Sequence, residues 1–354
     1  MNIYEQQARN RRTTWAIMFV FVALFLAIGL GFDFFYLSFN PVRGPGYEPY
    51  ADGYSRGAAP PQPVPYGAIL ALLAGFGMAA NSMVNGVSMV LRSTRARRAV
   101  AADEKERRFL DVVAEMSTAA GLPVPDAYIV PDSDLNAFAA GTAPESSVIA
   151  VTEGLLNSLN REELQAVVSH EMSHIRNYDM RLMTVSAGLL GAIALLSDFA
   201  YRTTRLRSGS SRGVSSGASP GGRKGGGAFS AVFFAAWLVL VALAPLISRL
   251  LAMAISRERE YLADASGAEL TRNPQALVSA LEKIRAAVMP TCAVNNGVAH
   301  MCIADPRGSL IEEKSGLVAD LFATHPPMEK RILALKVMAY QYGRDSGQGG
   351  ARNS

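Results

Sequence analysis

The sequence predicts a mostly α-helical integral membrane protein, with two to four transmembrane helices and a cytoplasmic α+β domain. Three observations lead there. Half of the 354 residues are hydrophobic and only 18% are charged, against about a quarter in an ordinary soluble domain. The apolar residues are gathered into four stretches, and the remainder has the composition of a folded, soluble polypeptide. Between the second and third stretches lies a His-Glu-Met-Ser-His pentad, residues 170–174, in a segment with helical apolar spacing. The same composition excludes a disordered chain. Cys292 and Cys302 are the only two cysteines, which excludes a disulfide scaffold and a four-cysteine metal module.

Residues 1–12, with Arg9, Arg11 and Arg12, read as a cytoplasmic N-terminus. Residues 13–32 carry no charge and form the first transmembrane helix, since about 20 helical residues cross a ~30 Å hydrocarbon core. Asp33-Phe34-Phe35-Tyr36 follows in place of a small-residue cleavage site, which predicts an uncleaved signal anchor. Residues 33–65 form a Pro-rich external loop, and residues 66–91 the second transmembrane helix. Arg92, Arg95, Arg97 and Arg98 come next. By the positive-inside rule they put the following domain, beginning with residues 92–181, in the cytoplasm.

Residues 182–200 form a third apolar helix, but only 16 residues, Leu182 to Ser197, are free of charge. A short span and a buried core helix are both open readings. Residues 201–227 are a Gly/Ser/Arg-rich linker with six basic residues and no acid. Residues 228–248 form a fourth apolar helix, residues 249–343 the second part of the polar domain, and residues 344–354 a disordered tail. The linker's charge assigns it to the cytoplasm, whereas two flanking spans would put it outside. A pair that dips into the membrane or packs on the domain resolves the conflict. The linker lacks interleaved aromatic residues, so contact with anionic lipid or simple solvation is expected, and no nucleic acid.

The pentad carries the chemistry. Asn160 as N-cap with Glu163 three residues on signals a helix start, and Leu164, Val167 and Val168 continue at helical spacing. His170 and His174 then share one face, with both imidazoles able to hold one Zn²⁺. Glu171 is about 100° around the helix, within reach of a water that zinc activates. Catalytic zinc usually takes a third protein ligand. Residues 257–264, Arg-Glu-Arg-Glu-Tyr-Leu-Ala-Asp, offer one on a second helix. Spacing leaves Glu258 and Glu260 both open as that ligand. With Glu260 in the role, Asp264 one turn on can accept the N–H of a liganding histidine. Ser146 to Val151 is a short β-prone run, and a free strand edge can receive an extended peptide by β-addition. The alternative for Phe138 is a core aromatic. Cys292, His300 and Cys302 match no zinc module and read as two small buried thiols and a loop histidine.

Several motifs in order resemble the HtpX-type membrane zinc metalloproteases, a gluzincin family. They are Asn136-Ala137-Phe138-Ala139, Ala150 to Leu156, His170 to His174 with Asp179, Arg259 to Asp264, Thr324-His325-Pro326-Pro327 and Glu329 to Ile332. They cover roughly residues 100–335. The resemblance implies a zincin catalytic domain, with the His-Glu-x-x-His helix beside a small edge-exposed β-sheet. It favours Glu260 over Glu258 as third ligand of a single Zn²⁺. It implies His325 as an oxyanion partner, Asp179 and Arg331 beside the metal ligands, and Asn136, Ala137, Phe138, Val148 and Ala150 along the substrate edge. Arg331 is expected to pair with an active-site carboxylate. It further implies a multi-pass protein of the cell inner membrane that cleaves misfolded or damaged membrane proteins in quality control, alongside other membrane proteases. Two rivals remain: a prenyl-protein endopeptidase, which needs more spans than four apolar stretches supply, and a membrane-anchored adaptor with a structural zinc, which needs a fourth protein ligand.

Overall fold

The computed structural model describes residues 3–33, 64–101, 103–189, 257–287, 301–304 and 326–350. The chain divides into two compact units. One comprises Met1–Ile17, Asn81–Ala192 and Ser248–Ser354, and the other Met18–Ala80 and Ile193–Ile247.

Helices α1 (Ile3–Phe32) and α2 (Tyr66–Ser93) supply the described part of the second unit. Helix α1 begins at Ile3, so residues expected as a separate N-terminus belong to the same rod as the apolar run; no proline interrupts them. Asn10–Gly31 and Tyr66–Ser93 are long and apolar enough to cross a membrane. Phe19, Leu70 and Phe76 expose 74%, 72% and 68% of their surface, which suits hydrocarbon as solvent far better than water. The Asp33 carboxylate accepts the N–H groups of Gly67 and Ala68, both at 2.7 Å. It thereby satisfies two orphan donors at the start of α2.

In the first unit, the C-terminal turns of α2 pack on a helix, α6, described over residues 179–189. Ser82 donates to the Val185 carbonyl at 2.9 Å, and a side chain at Gly188 would collide with Ser82. Ser82 and Gly86 on one helix, with Thr184 and Gly188 on the other, form facing small-residue pairs at four-residue spacing. Such pairs let two backbones approach closely. Residues 182–189, the described part of the third apolar stretch, are all buried. The rest of that stretch, the linker 201–227 and the fourth stretch 228–248 lie outside the described residues.

The sheet contains β1 (Arg97–Arg98), β2 (Asp126–Val130), β3 (Ala137–Ala140) and β4 (Val148–Thr152), in the order β1-β2-β4-β3. Strand β4 runs parallel to β2 and antiparallel to β3. The alternation of side chains splits β3 and β4 between two cores. Ala137, Ala139, Ile149 and Val151 face the main core, whereas Phe138, Ala140, Val148 and Ala150 face a smaller one with Val90, Met183 and Cys302.

Helix α3 (Glu104–Ala120) packs on α5 (Arg161–Arg176), the helix of the pentad, and the short α4 (Glu153–Ser158) packs on α3 and β4. Asn160 accepts the Glu163 N–H at 2.9 Å and Glu163 accepts the Asn160 N–H at 2.8 Å, a reciprocal capping box. Helix α5 is buried on nearly every side, as expected of a central core helix. Its neighbours are α3, β3, α7 (Arg257–Thr271) and α8 (Pro274–Ala286). Helix α9 (Met328–Gly350) packs on α7 and α8. It remains helical past residue 344, where the sequence predicts a disordered tail, and again no proline stops it.

Candidate active site

The pentad and α7 meet at one point. His170 Nε2 and His174 Nε2 are 3.3 Å apart. Glu260 places one carboxylate oxygen 3.6 Å from His170 Nε2 and the other 3.6 Å from His174 Nε2. A tetrahedral ion with bonds of about 2.0–2.1 Å has ligand atoms about 3.3–3.4 Å from one another. The triangle therefore fits a metal ion, and the three residues are buried. Without a cation, two imidazole lone pairs and a carboxylate at these distances would repel.

The other ring nitrogens fix the tautomers. His170 Nδ1 lies 3.0 Å from Asp264 Oδ1 and His174 Nδ1 lies 3.2 Å from Asp179 Oδ2. The His174 Nδ1–H is thus directed to a carboxylate, and His170 Nδ1 stands beside one but out of line for a hydrogen bond, an arrangement that leaves the Nε2 lone pairs for a metal. Arg331 anchors this shell. Its Nε and Nη2 donate to the two Asp264 oxygens at 2.8 and 2.7 Å, and its Nη1 donates to the Ile303 carbonyl at 2.7 Å. Nη1 is also 3.3 Å from Glu260 Oε2. A guanidinium fork suits this bidentate geometry where an ammonium would not. It holds Asp264 well below the usual carboxylate range, against the larger opposing effect of burial.

Glu171 is 1% exposed, and neither of its oxygens has a hydrogen-bond partner among the described residues. Burial raises its pKa, and the nearby histidines only partly offset that. A buried carboxylate left open in this way is poised to take a proton. Burial is also the largest influence on His174 and lowers its pKa. The Asp179 hydrogen bond and the carboxylates of Glu260, Asp179 and Glu171 outweigh it, and the ring is pushed up to about 9.

The expected substrate edge requires correction. Val148 and Ala150 lie in β4, paired on both sides by β2 and β3, so this strand has no free edge and their side chains fill the smaller core. Phe138 is a core aromatic, 2% exposed. Strand β3 is the outer one, yet all four of its residues are buried. Phe138 bridges to Cys302, and the Ile303 N–H donates to the Ala137 carbonyl at 2.9 Å. Asn136 turns its side chain to the backbone: Oδ1 accepts the Ala137 N–H and Nδ2 donates to the Ala304 carbonyl. The sheet is therefore not edge-exposed here, because the chain's own residues 302–304 occupy that position. Cys302 is buried. His325, Cys292 and His300 lie outside the described residues.

Two residues of the site escaped the sequence reading. Gly267 lies seven residues after Glu260, and a Cβ there would stand 2.9 Å from His170 N. A lone glycine inside a helical pattern was the available signal. Asn10, before the first apolar run, donates to Asp179 Oδ1 at 2.6 Å; no local pattern announces it.

The family model for Peptidase family M48 matches residues 103–339. A "Protease HtpX homolog" of Streptococcus thermophilus is 37% identical over 337 residues, covering 95% of this chain and all of the relative. One from Streptococcus pyogenes serotype M49 is 35% identical over the same coverage. Among solved structures, the crystal structure of S. mikatae Ste24p matches with TM-score 0.42 and 18% identity, over 75% of this chain and 57% of that one. The chain belongs to peptidase family M48, as an HtpX-type membrane metalloprotease.

Proposed function

We propose that the protein is a zinc endopeptidase that cleaves misfolded or damaged membrane proteins at the cytoplasmic face of the inner membrane. The observation that carries this reading is the 3.3–3.6 Å triangle of His170, His174 and Glu260 atoms beside the unpartnered Glu171. Two imidazoles and one carboxylate suit zinc better than the hard cations, which prefer all-oxygen sites. Held by these three residues, the ion would supply Lewis acidity, activating water and polarising the scissile carbonyl. Glu171 takes the proton of the attacking water and delivers it to the leaving amine. His325 steadies the oxyanion, a role that rests on the family resemblance. An extended substrate adds to β3 by backbone hydrogen bonds, displacing Cys302 and Ile303 and reaching the Ala139–Ala140 end. The Arg9, Arg11 and Arg12 cluster before the first span, with Arg92 and Arg95 after the second, supports a cytoplasmic domain.

The test compares Glu171→Gln with the parent, both purified in detergent, for zinc content and for cleavage of casein. Zinc retained and cleavage lost in the variant is the expected result. Equal cleavage by both proteins would overturn the mechanism, and zinc without cleavage in the parent would favour a membrane-anchored adaptor.

A further inference from the structure

We propose that Asn10, near the start of α1, is a positioning residue of the metal site, acting through Asp179 on His174. The inference rests on the zinc reading above and extends it to a segment 167 residues away in sequence.

The contacts form a chain. Asn10 Nδ2 donates to Asp179 Oδ1 at 2.6 Å and to the Asn177 carbonyl at 2.8 Å. Asp179 Oδ2, the opposite oxygen, faces His174 Nδ1 at 3.2 Å. Asn10 is 5% exposed and Asp179 fully buried. Both partners of Asn10 are acceptors, so only its amide nitrogen can serve them, and the side-chain orientation is settled. Holding one carboxylate oxygen fixes the rotation of the group, which points the other oxygen at the imidazole. Among the described residues, the nearest other cation on this oxygen, Arg259 Nε, is 3.8 Å away, too far for a hydrogen bond.

The backbone explains why an outside clamp is needed. Helix α5 ends at Arg176 with Asn177 as its C-cap, and Tyr178 has φ 60°, a left-handed conformation that a bulky residue adopts at a cost. That reversal carries Asp179 back beneath His174. The α1 segment grips the turn at both ends: Asn10 holds Asn177 and Asp179, and the Arg11 guanidinium lies 5.6 Å from the centre of the Tyr178 ring. Thr14 donates to the Asn10 carbonyl at 2.9 Å, within the same helix. The segment that enters the membrane span thus also sets a ligand of the metal, so loss of the first residues of the chain disables the site without touching a ligand.

The test is a double-mutant cycle on the full chain in detergent. Asn10→Ala, Asn10→Asp, Asp179→Ala and Asn10→Ala with Asp179→Ala are compared with the parent. Zinc dissociation constants are read by chelator competition, kcat and KM on casein, and melting of the metal-free form by circular dichroism. Carboxylate partners of liganding histidines are worth about 10–100-fold in metal affinity. Asn10→Ala is expected to weaken zinc binding about tenfold and to lower kcat with KM held. Asn10→Asp, which keeps the shape but sets two carboxylates together, should be at least as damaging. Asn10→Ala added to Asp179→Ala should have no further effect on zinc affinity. Additive effects would overturn the proposal, as would Asn10→Ala binding zinc as tightly as the parent. If the alanine variant does not fold, Asn10→Leu, which keeps the bulk and removes both donors, replaces it in the cycle with the same expected outcomes. A parent that binds no zinc would instead overturn the functional reading, and this inference with it.

Discussion

Gly267→Ala should separate the third metal ligand from the other two. Helices α5 and α7 cross in close contact at this glycine. A Cβ added there would lie 2.9 Å from His170 N, 3.1 Å from His170 Cα and 3.2 Å from the Ser169 carbonyl carbon. Relaxed non-bonded contacts need about 3.5 Å or more, so the shortfall is about 0.6 Å. All three atoms are backbone within the buried helix α5, and none can step aside as a flexible side chain can. Helix α7 must therefore move as a rod and carry Glu260 with it. Metal ligand distances tolerate only about ±0.2 Å, so the displacement is larger than the site can absorb. Overpacking costs about 1–3 kcal/mol, and the better helix propensity of alanine returns about 1 kcal/mol. The fold should survive while zinc affinity falls, by about tenfold or more. Melting with and without zinc, together with chelator competition, measures both effects. A Gly267→Ala protein that binds zinc as tightly as the parent would refute the argument that this close approach sets the site.

Glu163 closes the capping box of α5 and also receives Ser279 Oγ at 2.7 Å and Lys283 Nζ at 2.7 Å from α8. Burial opposes its ionisation most strongly, but these partners prevail and its pKa is lowered below 4.5. The stability it contributes is therefore present above about pH 4.5 and lost as pH falls through the lower folded value. Glu163→Gln should lower stability at neutral pH by about 0.5–2 kcal/mol, and the gap from the parent in melting temperature should close on acidification. A gap that does not vary with pH would refute the charged cap. Residues bridged across antiparallel strands have Cα atoms about 4.5–5.5 Å apart, a separation a disulfide can span. Phe138→Cys should therefore cross-link to Cys302, lose casein cleavage when oxidised and regain it on reduction; equal activity in both states would show that substrate does not use this edge.

The local chemistry was legible because it repeats at short spacing. Asn160 and Glu163 announced the start of α5 three residues apart, and four-residue spacing brought His170 and His174 together on one face. The apolar runs likewise needed only length and composition. What sequence could not reveal is what depends on partners distant in the chain. Ser146 to Val151 reads as a strand, but the interior position of β4 depends on β2 and β3 pairing to either side. The covering of β3 depends on Cys302 and Ile303, more than 160 residues on. Spacing left Glu258 and Glu260 as equals, because their choice depends on how α7 rotates against α5, and Gly267 governs that contact two turns away.

The charges of the buried site connect these details. Among the described residues, Glu171, Glu260, Asp264 and Asp179 bring four carboxylates into the interior, and Arg331 and Arg259 bring two guanidinium groups. The histidines are neutral when they act as ligands, so the site carries an excess of two negative charges. An uncompensated charge in the protein interior costs several kcal/mol. A divalent cation in the triangle balances the excess. In its absence protons must do so, and the upward shift of His174 to about 9 marks where one goes. The arginines are not placed alike. Arg331 is committed to Asp264 and leans on Glu260, which holds the third ligand in place, whereas Asp179 takes its shortest contact from the uncharged amide of Asn10. Arg259 Nε already stands 3.8 Å from the same Asp179 oxygen; the neutral Asn10 donor orients the carboxylate without adding a second positive charge, so the pull on the His174 N–H is weakened no further. That pull makes Nε2 a better donor to a metal, and an uncharged amide at hydrogen-bond distance preserves more of it than a second arginine beside Arg259 would.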